Sequence, residues 1–110
     1  MDDNTRHGFS IRLVEVLSSS TKIKQITNKY GPYKAIRIIT FSIPGRFNGT
    51  IEIYNLTQIT IKWWTTDPQL PTIGSQDLAN EQEVILWLYV AIGQYLPKSD
   101  NLYLQLLQEV

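Results

Sequence analysis

Thr50-Ile51-Glu52-Ile53-Tyr54-Asn55-Leu56-Thr57-Gln58-Ile59-Thr60-Ile61-Lys62-Trp63-Trp64 decides the fold. Ile51, Ile53, Ile59, Ile61 and Trp63 take odd positions, while Glu52, Tyr54, Gln58, Thr60 and Lys62 take even ones. A period of two marks extended backbone with one buried and one wet face. Two readings stay open for the middle of the stretch. It is either one long bent strand, or a hairpin whose loop Asn55-Leu56-Thr57 sets Ile53 opposite Ile59. Strands usually run to about 3–10 residues, which argues for the hairpin.

Upstream, Tyr33 to Ile43 reads as a further strand, with Ile39, Phe41 and Ile43 continuing the apolar odd face. Asn48-Gly49 is a strong hairpin signal, because a type I′ turn needs positive φ at both central residues. A turn there predicts a bulge at Pro44-Gly45, which shifts the register by one and brings Ile43 opposite Ile53. Downstream, Thr65 to Ser75 holds Asp67-Pro68, Leu70-Pro71 and Gly74 and reads as a loop, with a helical turn expected over Ser75–Asn80.

Glu81-Gln82-Glu83 then introduces nine apolar or aromatic residues, Val84 to Ile92, closed by Pro97. Asn80 is placed to cap a helix over 81–96, and the two acids suit its positive end. That helix is apolar nearly all round and needs cover on more than one side, yet its nine-residue apolar run is far shorter than the ~20 residues of a membrane crossing. A last helix, capped by Ser99 or Asp100, runs to Val110 with Leu102, Leu106 and Val110 on one stripe.

At the other end, Phe9 to Leu17 is rich in β-branched residues and alternates in its first half, which favours a strand. The rival reading is a helix with Leu13, Val14 and Leu17 on one face. Lys22 to Tyr30 reads as a short helix or an irregular connection, and residues 1–8 as a flexible terminus ahead of a single domain over 9–110. The fold class expected is α+β: a mostly antiparallel sheet of three to five strands with two C-terminal helices packed on its apolar face.

The 110 residues include no cysteine and a single histidine, His7. Disulfide frameworks, cysteine-based zinc sites and thiol nucleophiles are thereby excluded, and a Ser-His-Asp constellation has only one candidate base. No catalytic residue, metal ligand or cofactor site is assigned, and a non-enzymatic role is expected. The polar start of the chain has no apolar core of signal-peptide length, so a cytoplasmic location is expected.

Net charge is zero but segregated: residues 1–64 carry nine Lys/Arg against four Asp/Glu, and residues 65–110 carry one against six. Three functional readings follow. The first is a self-associating structural or adaptor protein, most simply a dimer, with Trp87, Tyr89, Tyr103 and Leu107 at the protein interface. Charge segregation would let the basic half of one copy meet the acidic half of another. The second is a nucleic-acid or anionic-surface binder using Lys22, Lys24, Lys29, Lys34, Arg37 and Arg46, with Trp64 and Tyr54 as aromatic anchors. A solvated face and ordinary core aromatics explain the same residues. The third is a small ligand-binding or enzymatic α+β barrel.

Overall fold

A computed structural model describes residues 3–32, 36–55, 57–65 and 73–110. Helix α1 (Asp3–Ser18) precedes strands β1 (Lys24–Tyr30), β2 (Arg37–Ile43), β3 (Phe47–Asn55), β4 (Gln58–Thr65) and β5 (Ile73–Leu78). Helix α2 (Glu81–Ile92), a 3-10 turn (Gly93–Tyr95) and helix α3 (Asn101–Glu109) follow. The strands form one sheet in the order β1-β2-β3-β4-β5, every neighbouring pair antiparallel. The α+β architecture is as expected, with α1 joining the two C-terminal helices in covering one side.

Alternation sorts the two faces. Ile39, Ile51 and Ile61 lie side by side across β2, β3 and β4, and Ile53 faces Ile59. All five are fully buried, in one core with Phe9, Leu13 and Leu17 of α1, Val84, Leu88 and Ile92 of α2, and Leu102 and Leu106 of α3. Each such side chain contributes about 1.5–3 kcal/mol by leaving water. Ile53 opposite Ile59 is the hairpin reading of the central stretch. Asn55 drives it: its side-chain oxygen accepts from the Thr57 N–H at 2.9 Å and the Thr57 hydroxyl at 2.8 Å, a local turn that ends β3.

The turn expected at Asn48-Gly49 lies elsewhere. Both residues are within β3, and the chain reverses at Pro44-Gly45 instead. The Arg46 N–H donates to the Ile43 carbonyl at 2.9 Å, and Gly45 has φ +75°. Proline followed by a positive-φ glycine satisfies a type II turn, so no bulge is required and Ile43 faces Phe47 rather than Ile53. Gly49 is needed for space. It sits between Phe41 and Trp63, which in turn faces Gly74, so aromatic and glycine alternate along one row. A Cβ on Gly49 would lie 2.5 Å from the Phe41 ring, and one on Gly74 2.0 Å from Trp63.

Three further readings are corrected. Residues 9–17 are helical, within a helix that begins at Asp3. Phe9, Leu13, Val16 and Leu17 face the core at helical spacing, while Ile11, whose alternation suggested a strand, is left exposed. Lys22–Tyr30 supplies β1 instead of a helical segment, with a register shift between Lys24 and Thr27 and Gln25 at φ +56°. Ser75–Asn80 belongs mostly to β5 instead of a helical turn, because pairing with β4 claims Ile73 to Leu78. The caps agree with the sequence. Asn80 accepts from the Glu83 N–H at 2.9 Å, and Asp100 accepts from the Leu102 N–H at 2.8 Å.

Candidate interaction surface at the β5 edge

The sheet has two edges, and the chain treats them differently. An exposed edge strand offers unpaired N–H and C=O groups to any other strand, and lysines, prolines and bulges prevent that pairing. On β1, Lys24 and Lys29 are exposed and the register is broken by the Gln25 irregularity. On β5, Ile73-Gly74-Ser75-Gln76-Asp77-Leu78 contains no cation and no proline, and it pairs with β4 in unbroken register from Leu78 to Ile73. Its one charged group, Asp77, accepts from the Thr60 hydroxyl at 2.8 Å.

Apolar side chains are exposed on both sides of this edge. On the face away from the helices, Trp64 opposes Ile73, with 44% and 75% of their surfaces exposed. They line an open depression of about 420 Å³ together with Asn48, Thr50, Lys62 and Ser75. On the helix side, Gln76 and Leu78 share a groove of about 510 Å³ with Leu86, Trp87 and Val90 of α2. Val84, Ile85, Leu88 and Ile92 take the buried side of that helix, leaving Leu86 and Val90, one turn apart, 46% and 66% exposed.

The residues expected at an interface are placed unequally. Trp87 turns to the sheet and packs on Trp63 (ring centroids 5.3 Å apart) and Phe47 (6.0 Å), so only its margin reaches the groove. Tyr89 and Tyr103 pack with tilted rings 5.8 Å apart and join α2 to α3, while Leu107 is exposed further along α3. The exposed Leu86, Val90 and Ile73 were not among the residues expected there. In an all-round apolar helix the sequence does not say which residues stay outside, and β5 has almost no buried alternation to mark it as a strand.

Of the basic set, four side chains are exposed and one is buried. Lys22, Lys24 and Lys29 are exposed at or beside the β1 edge, and Arg46 is exposed in the β2–β3 turn, 6.0 Å from the Tyr95 ring. Arg37 is only 5% exposed, because its odd position points it to the helix side. There it donates to the Asn28 side-chain oxygen and lies 4.1 Å over the Tyr30 ring. Lys34 lies outside the described residues. Trp64 faces Asn48, and Tyr54 is six residues further along β3, about 20 Å at strand rise, so the two anchors are not adjacent. Lys62 pairs with Glu52 at 3.1 Å, and that hydrogen bond and charge raise the lysine above its ordinary pKa.

His7 is exposed on α1, and among the described residues no three His, Cys, Asp or Glu side chains come together to hold a metal. No described helix is long and apolar enough to cross a membrane. Comparison with protein-family models, curated proteins and solved structures finds no match to this chain.

The tyrosine pair yields a pH-dependent prediction. A hydrogen bond with Tyr103 raises the Tyr89 phenol above its ordinary value of 10.0, so the neutral form is favoured in the folded chain. The contact therefore contributes fully below that value and is lost as pH climbs through the raised one. In a tyrosinate absorbance titration, Tyr103→Phe should bring one phenol down toward the ordinary range. An unchanged alkaline profile would mean that the two hydroxyls are not bonded.

Proposed function

We propose that this protein is a non-enzymatic, self-associating structural or adaptor module whose contact surface is the β5 edge with its two flanking grooves. One observation carries the reading: Ile73, Val90, Leu86 and Trp64 are all at least 44% exposed and flank the same strand. Large apolar groups exposed on both sides of one unguarded edge support an association surface, since such clusters on a monomer usually mark a contact site. Burying them between copies recovers the same transfer free energy that drives the core. The balanced net charge leaves no overall repulsion between copies to overcome.

Polyanion binding has less support. Arg37 is buried, while edge protection already accounts for Lys24 and Lys29. Sedimentation or light scattering across a protein and salt series tests self-association directly. The expected result is a species of about twice 12.7 kDa that dissociates on dilution. It should persist at high salt, because the patch is apolar. A 12.7 kDa species at every concentration would overturn the reading.

A further inference from the structure

We infer that two copies join by antiparallel pairing of β5 with β5 about a two-fold axis at Gln76, making one continuous ten-stranded sheet. The inference rests on the self-association reading and specifies its partner and register. β5 has β4 on one side and, among the described residues, no strand on the other. It also lacks the lysines and broken register that guard β1. Strand addition satisfies its outward backbone groups, and a second copy brings an identical edge in the same condition.

Parity restricts the register. Residues directly opposite in an antiparallel pair share a face, so the axis passes through a residue position and not between two. An axis at Asp77 sets two carboxylates against each other, which is unfavourable. An axis at Ser75 sets Asp77 against the exposed Ile73 of the second copy. An axis at Gln76 sets Ser75 against Asp77 and Gly74 against Leu78. Each Asp77 then meets a serine hydroxyl, with Lys62 next along the same row, because Lys62 faces Ser75. Each Leu78 meets the position where the Trp63 ring fills the space over Gly74. Gln76 lies in the groove walled by Leu86 and Val90, so the exposed stripes of both α2 helices approach the axis. A strand pair alone is a small contact. The two stripes enlarge it with apolar area where the free molecule exposes it.

The test uses charge at the axis. Gln76 is exposed, so Gln76→Lys and Gln76→Glu should each fold, which circular dichroism can confirm. Each variant alone places like charges opposite each other and should weaken association by roughly tenfold or more. An equimolar mixture of the two should restore the wild-type molar mass. A monomeric wild type would remove the self-association reading itself. A wild-type dimer untouched by either change would leave that reading standing and overturn pairing about Gln76; loss of the dimer by Leu86→Glu would then place the contact on α2. Weakened variants that fail to rescue each other would overturn the axis at Gln76. So would rescue confined to a Ser75→Lys and Ser75→Glu mixture.

Discussion

Gly49→Val should destabilise the domain by about 3 kcal/mol, the upper range for forcing extra methyl groups into a packed core. Gly49 is buried in the central strand β3, and the place of its missing Cβ is occupied by the Phe41 ring at 2.5 Å and approached by Phe47 at 3.1 Å. Phe41 has little freedom to yield, because it stacks on Phe47 (5.9 Å), which packs on Trp87 (6.0 Å) and Tyr95 (6.4 Å). The cause separates this from turn strain. Gly49→Ala should also be costly, and Phe41→Leu should relieve part of that cost in a double-mutant cycle. At a positive-φ turn, by contrast, shortening Phe41 would change nothing. Chemical denaturation measures both, and additive effects would show that the ring does not hold the glycine's place.

Phe9→Ala is expected to cost about 3–5 kcal/mol, the range for removing a fully buried aromatic ring. Domains of this size are stable by about 5–15 kcal/mol, so the variant should be largely unfolded at modest denaturant or temperature. Phe9 is completely buried one turn before Leu13, and α1 closes the core over β1, β2 and β3. Ile11→Ala, two residues away on the exposed flank of the same helix, should cost well under 1 kcal/mol. A strand would give the opposite pattern, with positions 9 and 11 equally sensitive. Equal thermal shifts for the two variants would contradict the helix.

Local chemistry sufficed where one residue type could satisfy only one geometry. Within each strand the odd isoleucines (Ile39 with Ile43, Ile51 with Ile53, Ile59 with Ile61) had to share a face, because side chains alternate along extended backbone. Asn80 marked one helix start and Ser99 or Asp100 the other, since such side chains answer backbone N–H groups that the helices leave unpaired. Pro97 marked the end of the central helical segment. Pro44-Gly45 carried the hairpin turn in plain sight, but Asn48-Gly49 spelled a competing turn. Only the Phe41 ring, brought across by β2, showed why position 49 is glycine. The start of the chain was ambiguous for a related reason. Leu13, Val14 and Leu17 fit a helix, while the alternation from Phe9 to Leu13 fits a strand. In the fold Ser10 is fully buried, bonding the His7 carbonyl and the Asn28 side chain, so the helical face holds a polar group that no hydrophobic pattern reveals. β5 and the candidate interface were least legible. An edge strand buries little, so its residues need not alternate. Which members of the apolar run Val84–Ile92 stay in water depends on where β5 and α3 lie. Periodicity records which residues a chain can bury; what remains uncovered is settled only when the elements meet.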